Sequence, residues 1–455
     1  FAVHNIDFNK AWKAKQSGWH DQTRAIFANA EIGWKSMIYL TATGRNDWDS
    51  RLAFSDYKSF FYPSIGLSAI LTSMFNAPDW LTYLKVRGSY TEVGNSYGRF
   101  MTTVTYPYDE QTQSWTSTSS YPNTKLKPER TKSWEVGLDA RILNDISLNL
   151  TYYRSNTYNQ TFYADLSLSS GYSNIPIQSG NIMNEGLEMS LGYNKQWKDF
   201  SFNTNYTLTW NKNRVKRLAD GVYNYATGQP IQMPELSPLT YGHTDARLIL
   251  RVGGSMGDVY GQRLLKRDLN GYILNEEGVG LAMENKETYL GSILPKMNMG
   301  WSLGFGYKGV NLGMTFTGRF GGIVISETQS VLDAAGVSKV SADVRDAGGV
   351  QINQSKVSAQ TYYQTIQGTA AYYTYSATNV RLGELSLSYT LPKKWFDNKV
   401  GMTVGLVGKN LWMIYCKAPF DPELTTSAAS NFYQGFDAYM LPSTRNFGFN
   451  VKFQF

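Results

Sequence analysis

The stretch NFGFNVKFQF, residues 446–455, alternates strictly between apolar and polar side chains. In an extended chain, successive side chains point to opposite faces, so the four phenylalanines and Val451 share one face. Glycine, asparagine, lysine and glutamine occupy the other face. This pattern predicts a β-strand that has one apolar side and one polar side.

The same alternation recurs along most of the chain. No segment with a helical period of apolar residues competes with it. The clearest further examples are WEVGLDAR (134–141), DISLNLTYY (145–153), GLEMSLGY (186–193), DFSFNTNYTLTWN (199–211), MNMGWSLGFGY (297–307) and VNLGMTFT (310–317). The chain is therefore predicted to be an all-β protein.

Charged residues inside these segments all fall on the polar face. They are Lys85, Arg87, Glu135, Asp139, Arg141, Glu188, Arg319, Lys409 and Lys452. A lysine or arginine facing lipid at the bilayer midplane would cost about 2–4 kcal/mol. A soluble β-sandwich also alternates, but its apolar face is normally made of valine, isoleucine and leucine packed on a second sheet. Here the apolar face is rich in aromatic residues, which favours a transmembrane antiparallel β-barrel.

Short and long connections between the segments alternate, as they do in outer-membrane barrels with short periplasmic turns and long outer loops. The short connections are 33–35, 76–80, 144–145, 195–198, 253–257, 308–309 and 392–399. The long ones are about 45–60, 94–130, 157–182, 212–242, 267–296, 321–376 and 413–443. This scheme predicts fifteen strands within residues 23–455, preceded by an extracellular loop segment at 1–22. Bacterial barrels close with an even number of strands, so further strands are expected from outside this chain.

Composition narrows the possible functions. Charged residues make up 17% of the 455 residues and aromatic residues 15%, which suits amphipathic sheets. No apolar run of about 18 residues is present, which excludes a transmembrane helix. The net charge of +7 comes from dispersed lysine and arginine without a basic run, so nucleic acid is not an expected partner.

The sequence contains few candidate catalytic or metal-binding residues. The three histidines lie far apart and have no cysteine at metal-ligand spacing, so neither a metal site, a cofactor nor a catalytic residue is predicted. The segment DLNGYILNEEG from Asp268 departs from a calcium loop at the fifth and sixth positions and is interpreted as a turn in an outer loop. Asp421 and Glu423 are too close in sequence to suggest a glycosidase pair. We expect them to fix the last outer loop.

Several short motifs, in order along nearly the whole chain, resemble the SusC/RagA type of TonB-dependent outer-membrane transporters of Gram-negative bacteria. They are MIYLTATGRNDWDS (37–50), LKVRGSYTEVGNS (84–96), LKPERTKSWEVGLDARI (126–142), NEGLEMSLGYN (184–194), YLGSILPKMNMGWSLGFGYKG (289–309), NVRLGELSLSYTLPKKW (379–395), GKNLWMIY (408–415), APFDPEL (418–424) and LPSTRNFGFNVKFQF (441–455). Barrels of this family have 22 strands, which implies that this chain supplies the eighth to the last.

The resemblance also implies partners and a mode of action. A SusD-like lipoprotein would capture an oligosaccharide or peptide above the outer loops, outer-membrane lipid would surround the wall, and TonB would supply energy through a plug domain. The plug and the first strands precede the matching region in the family and do not occur in this sequence. Two other hypotheses stay open at this level: a surface adhesin or structural barrel without transport, and an outer-membrane hydrolase.

Aromatic residues in two long loops are the candidate substrate contacts, because flat rings beside polar groups suit sugar faces and peptide side chains. The alternative is that they pack loop against loop or against a protein lid. The candidates are Tyr362, Tyr363, Tyr372, Tyr373, Tyr375, Phe432, Tyr433, Phe436 and Tyr439.

Overall fold

The computed structural model describes residues 18–109, 113–178, 180–223, 227–233, 235–276, 280–352, 355–424, 426 and 431–455. Most of the predicted extracellular segment 1–22 therefore lies outside the described residues. No helix among the described residues combines the length and the hydropathy needed to cross a bilayer.

The main feature of the fold is one antiparallel sheet of thirteen strands, arranged in chain order. The alternating segments form this sheet, which confirms the prediction of an antiparallel all-β wall. The strands are Thr23–Trp34, Ile38–Asp49, Phe60–Ile70, Leu81–Asn95, Glu129–Ile142, Ile146–Tyr158, Asn181–Trp197, Phe200–Arg217, Met297–Tyr307, Val310–Phe320, Asn379–Leu391, Gly401–Cys416 and Asn446–Gln454.

Short turns join the strands at one end of the sheet. Several of them use residues with positive φ, including Lys35, Asn144, Lys198 and Lys308. Gly309 follows Lys308 with a φ of 90°, and an added Cβ there would lie 2.7 Å from the carbonyl oxygen of Thr390. At the other end of the sheet, most connections are much longer, although 50–59 is as long as the connection 71–80 at the short end. Short and long connections alternate along the sheet, as the sequence predicts.

The sheet has thirteen strands rather than the fifteen predicted. The sequence predicts the two missing strands on either side of the turn at 253–257. Those residues instead form Arg247–Arg251 and Asp258–Leu265, which belong to a separate four-stranded sheet with Glu235–Thr240 and Met283–Ser292. The physical reason lies in Leu248, Ile249 and Leu250, which are all buried, so this strand packs apolar side chains on both faces.

The first and last strands of the large sheet are open edges. Every residue of Thr23–Trp34 and of Asn446–Gln454 is exposed. Within the described part of the chain, each of these two edge strands pairs with a neighbour on one side only. Unpaired edge strands present free N–H and C=O groups, which the hydrocarbon core of a bilayer does not tolerate.

The long connections contain further short elements. The additional strands are Tyr108–Asp109, Ser114–Trp115, Thr161–Asp165, Asn174–Gln178, Ala219–Tyr223, Pro230–Met233, Asn275–Glu276, Gly280–Leu281, Ile323–Ser326, Val350–Ile352, Ser355–Val357, Thr374–Ser376 and Phe436–Asp437. The α-helices are Leu71–Met74, Glu327–Ala334, Lys339–Asp346 and Ala359–Ile366.

The three eight-residue helices all lie in the 321–376 stretch, where the sequence analysis predicts only a loop. Each begins after a serine whose hydroxyl accepts a hydrogen bond from a backbone N–H three residues later. These serines are Ser326, Ser338 and Ser358. A serine at this position satisfies an otherwise unpaired donor of the first helical turn, which explains where the helices start.

Candidate functional site

The polar face of the sheet carries interlocking charges from neighbouring strands. The Arg87 guanidinium donates a 2.7 Å hydrogen bond to the Thr151 hydroxyl. It also lies 3.8 Å from the Asp139 carboxylate and 4.0 Å from that of Glu135. Gly137 leaves room for this side chain, since a Cβ there would lie 2.7 Å from the Arg87 Nε. This face is a hydrated wall that suits polar solutes.

The opposite face of the same strands exposes large apolar side chains. Exposed fractions are 52% for Val136, 42% for Leu191 and 64% for Leu406. Trp134 and Trp301 are exposed to a similar degree. An apolar surface that spans a whole sheet is stable only against lipid or another apolar surface.

Three long connections pack together at the long-loop end of the sheet and form a folded unit, which we call the loop layer (described residues of 218–296, 321–378 and 417–445). Its core combines side chains from all three segments. The fully buried members are Tyr241, Ala246, Leu248, Val259, Ile293, Ile325, Ala370 and Phe436. The Tyr241 hydroxyl also donates a 2.7 Å hydrogen bond to the Phe432 carbonyl oxygen. The three loop segments therefore form one packed unit.

A buried carboxylate ties two of these segments together. Asp245 accepts hydrogen bonds from the backbone N–H groups of Gln262 at 3.1 Å, Arg263 at 2.7 Å and Ala370 at 2.6 Å. Its side chain is only 7% exposed. Hydrogen bonds to a charged acceptor are about twice as strong as neutral ones.

Replacing Asp245 by alanine should loosen the loop layer by about 2–3 kcal/mol, because three backbone N–H donors lose their charged acceptor. Hydrogen exchange at Ala370 and Arg263 would report the change. The matched control is Asp268→Ala, since Asp268 also accepts two backbone N–H bonds, but within its own exposed turn. Equal protection at Ala370 in both variants would contradict the proposed link.

A buried ion pair between wall and loop joins Arg381 to the last long connection. The Arg381 guanidinium donates to both Asp421 carboxylate oxygens, at 2.9 and 2.8 Å. Both side chains are buried, with exposed fractions of 10% and 8%, and Glu423 lies 3.4 Å from the same guanidinium. Asn379 completes the cluster by donating 3.0 Å to Glu423. Asp421 and Glu423 thus anchor the last outer loop, in the role that the sequence analysis expects.

The nine candidate aromatic residues lie in the loop layer, mostly inside it. Tyr363, Tyr373 and Phe436 are buried, with exposed fractions of 6%, 2% and 2%. Tyr439 is 60% exposed. The loop layer also holds a second buried cluster, formed by Leu265, Leu281, Ile352, Tyr363, Ile366 and Tyr373. The remaining five are partly buried against one of these two clusters or against a neighbouring ring: Tyr362, Tyr372, Tyr375, Phe432 and Tyr433. The structure therefore brings most of them together as packing partners and leaves Tyr439 as the accessible ring.

Burial raises the pKa of several tyrosines in the loop layer. It raises the pKa of Tyr241 well above its ordinary value. Burial and the negative charge of Asp333 do the same for Tyr373, and together they raise the pKa of Tyr375 to about 12. Neutral phenols at physiological pH act here as hydrogen-bonding and packing groups.

Sequence reasoning gave no role to Arg381, Asn379 or Asp245. Arg381 lies in the motif NVRLGELSLSYTLPKKW and on the polar side of its strand. These two features are the only signals in the sequence that point to this residue. Asp245 carries no local signal, because its partners are up to 125 residues away in sequence. Within the described part of the chain, no group of three or more histidine, cysteine, aspartate or glutamate side chains could hold a metal ion.

Comparison with protein families gives one match that covers most of the chain. The family model described as "TonB dependent receptor-like, beta-barrel" matches residues 5–411. TonB-dependent receptor P3 of Formosa agariphila is 25% identical over an alignment of 468 residues, which covers 94% of this chain and 45% of the relative. TonB-dependent receptor SusC of Bacteroides thetaiotaomicron is 25% identical over 217 residues, or 47% of this chain and 19% of SusC.

Solved structures support the same fold. The RagAB peptide importer in its open-open state matches with a TM-score of 0.71 and 20% identity, over 98% of this chain and 49% of that chain. The closed-closed state gives a TM-score of 0.70 with 95% of this chain covered and 47% of that chain. The chain spans about half the length of the relatives it matches.

Proposed function

Because the chain belongs to the TonB-dependent receptor-like β-barrel family, we propose that it forms wall and outer loops of an importer that takes up oligosaccharides or peptides actively. This family resides in the outer membrane of Gram-negative bacteria, and its members are transporters and receptors rather than enzymes. The substrate class and the partners below are part of the proposal.

The observation that carries the proposal is the two-sided wall. Charges such as Arg87 and Asp139 interlock on one face, while Leu191 and Leu406 are exposed on the other. A wall of this kind separates lipid from an aqueous lumen large enough for hydrated solutes. It performs no bond chemistry, and its task is to enclose and guide a solute.

The remaining wall would come from residues outside this chain. Both edge strands are exposed along their whole length. We propose that further strands pair with these edges and that a plug from the same protein fills the lumen. TonB would act on that plug, because the outer membrane has no nucleotide energy source of its own. Residues 1–22 would precede the wall as an extracellular segment, and residues 23–455 would form its C-terminal portion.

A SusD-like surface lipoprotein is the proposed partner at the loop layer. Support comes from the likeness to SusC and to the RagAB importer. The loop layer offers a firm base for such a lid, because its three segments share one core. The exposed Tyr439 donates a 3.3 Å hydrogen bond to Glu327 and stands at this surface. It is the candidate aromatic residue that we propose to face a substrate or the lid.

Gentle detergent extraction of the full-length protein, followed by mass spectrometry of retained ligands and partners, tests the proposal. We expect a lipoprotein and a mixture of oligosaccharides or peptides to copurify. A Tyr439→Ala variant should retain less ligand than wild type, whereas Tyr272→Ala, at another exposed loop tyrosine, should not. A sealed barrel without lipoprotein or ligand would instead favour the structural or adhesive alternative.

A further inference from the structure

One part of the polar face is built without charged residues. Residues 200–211, 297–307 and 310–318 lie on three neighbouring strands of the large sheet and include no aspartate, glutamate, lysine or arginine. Their side chains on the polar face are amides, hydroxyls and glycines. On the first two of these strands, we call the central part of this face the neutral strip: Asn203, Asn205, Thr207, Gly300, Ser302 and Gly304.

The side chains of the neutral strip lie along the wall instead of projecting from it. A Cβ added at Gly304 would lie 2.5 Å from the Asn203 amide oxygen. A Cβ added at Gly300 would lie 2.8 Å from the Thr207 hydroxyl, which donates a 3.3 Å hydrogen bond to the Gly300 carbonyl oxygen. Each of these polar groups thus rests over a glycine of the next strand. The strip is therefore a smooth surface of neutral hydrogen-bonding groups.

The polar face on the strands Leu81–Asn95 and Glu129–Ile142 is different, because it carries charges of both signs. A pocket of about 320 Å³ on this face is lined by polar groups that include Lys85, Asp139, Arg141, Ser147 and Asn149, and we call it the charged pocket. The Asp139 carboxylate is engaged within the wall, because it accepts a hydrogen bond from the Asn149 amide. Across the described residues, neither Lys85 nor Arg141 forms an ion pair with a carboxylate. These two cations attract negative groups on whatever occupies the lumen.

The two surfaces suit different occupants. Passage through a pore requires contacts that are favourable enough to form and weak enough to break. Hydrogen bonds to charged groups are about twice as strong as neutral ones, so the charged pocket favours an occupant that stays in place. A neutral amide or hydroxyl exchanges its partner for water at little net cost. The neutral strip therefore favours an occupant that moves.

We propose that an imported solute passes along the neutral strip, through a gap between strip and plug, while the plug stays in contact with the charged pocket. This inference rests on the proposed function, because it concerns the lumen of the same importer. Energy from TonB then opens a gap on one side of the plug and does not remove the plug as a whole. Sugar hydroxyls and peptide amides both bond to amides and hydroxyls of the strip, so the path serves either solute class.

Cysteine labelling in cells that make the full-length protein tests the path. Ser302 lies in the neutral strip and Ser147 lines the charged pocket. They are a matched pair, because one row across the sheet joins Ser147, Gly192, Asn205 and Ser302 on the polar face. Ser302→Cys and Ser147→Cys, each in a Cys416→Ser background, would be treated with a polyethylene glycol maleimide added outside the cells, with and without TonB. Labelling after denaturation in urea corrects for the intrinsic reactivity of each thiol.

We expect TonB to raise the labelling rate of Ser302→Cys about tenfold, because the rate follows the fraction of time that the gap is open. The rate for Ser147→Cys should change by less than about twofold, because the plug covers this position in both states. If either serine variant does not fold, Thr207→Cys and Asn149→Cys replace the pair. These two residues flank Ser190 in the adjacent row of the same face.

Three results would overturn the inference. Equal acceleration by TonB at both positions would mean that the plug leaves as a whole, which removes the division of the wall but leaves the importer intact. Faster labelling at the charged pocket than at the strip would place the path on the other side of the lumen. Labelling that does not depend on TonB at either position would contradict the proposed function, and the inference would fall with it.

Discussion

Replacing Arg381 by methionine should detach the last long loop from the wall and lower the free energy of unfolding by about 3–5 kcal/mol. Methionine keeps much of the packing volume but leaves Asp421 as a buried charge without its bidentate partner. Removing one member of a buried pair is far more costly than the pair itself is worth. Chemical denaturation of the full-length protein, with hydrogen exchange over 417–424, would measure both effects.

An exposed pair that also involves the strand Asn379–Leu391 provides the control. Lys409 lies 3.7 Å from Glu384, and their exposed fractions are 60% and 44%. Lys409→Gln should therefore change stability by less than about 1 kcal/mol. The double variant Arg381→Met/Asp421→Leu should recover much of the loss. A similar loss in Lys409→Gln and Arg381→Met would contradict a specific role for the buried pair.

The same pair should make the loop sensitive to acid. Burial acts to raise the pKa of the Asp421 carboxyl, but the hydrogen bonds from Arg381 and from the Glu423 N–H outweigh it and hold this pKa below its ordinary value. A carboxyl whose folded-state pKa is lowered stabilises the fold above its unfolded pKa of about 4. That stabilisation is lost as the pH falls through the lower, folded-state pKa.

Replacing Leu191 by lysine should destabilise the barrel in lipid by about 2–4 kcal/mol. Leu191 lies in the middle of its strand, in a row with Leu148, Tyr206 and Trp301, and is 42% exposed on the apolar face. The ammonium group of a lysine at this position would have to move from water into hydrocarbon. Urea unfolding from phospholipid vesicles would give the difference.

The adjacent residue supplies the matched control for this change. Ser190 points to the polar face, where its hydroxyl donates a 3.0 Å hydrogen bond to the Asn205 amide oxygen. Ser190→Lys introduces the same charge one residue away, on the polar face. It should lower the free energy of unfolding by less than about 1 kcal/mol. If both variants lose the same stability, the two faces do not meet different solvents.

The fold could be predicted where alternation is local and unbroken. The strand Asn446–Gln454 and residues 186–193 of the strand Asn181–Trp197 follow from an unbroken alternation of apolar and other residues. The alternation scheme also predicts two wall strands around Gly253, and this prediction is wrong. The run of Leu248, Ile249 and Leu250 does not alternate, and a continuous apolar run indicates a strand that is covered on both sides.

The loop layer could be predicted only in part. The anchoring role of Asp421 and Glu423 follows from their place in the last connection, but their partner Arg381 is about 40 residues away. The three short helices have serine caps that are readable in sequence, yet an eight-residue helix has too few periodic positions to stand out. Ligand contact by the candidate aromatic residues stays a prediction, because burial depends on which loops meet.

A nitroxide scan through residues 186–193 in a Cys416→Ser background would test the central claim, that one face meets lipid and the other meets water. We expect accessibility to oxygen, which is concentrated in lipid, to peak at Leu187, Met189, Leu191 and Tyr193. Accessibility to a water-soluble nickel chelate should peak at the residues between them. Low accessibility to both reagents at the four apolar positions would mean that they are buried against protein, and the sheet would then not be a lipid-facing wall.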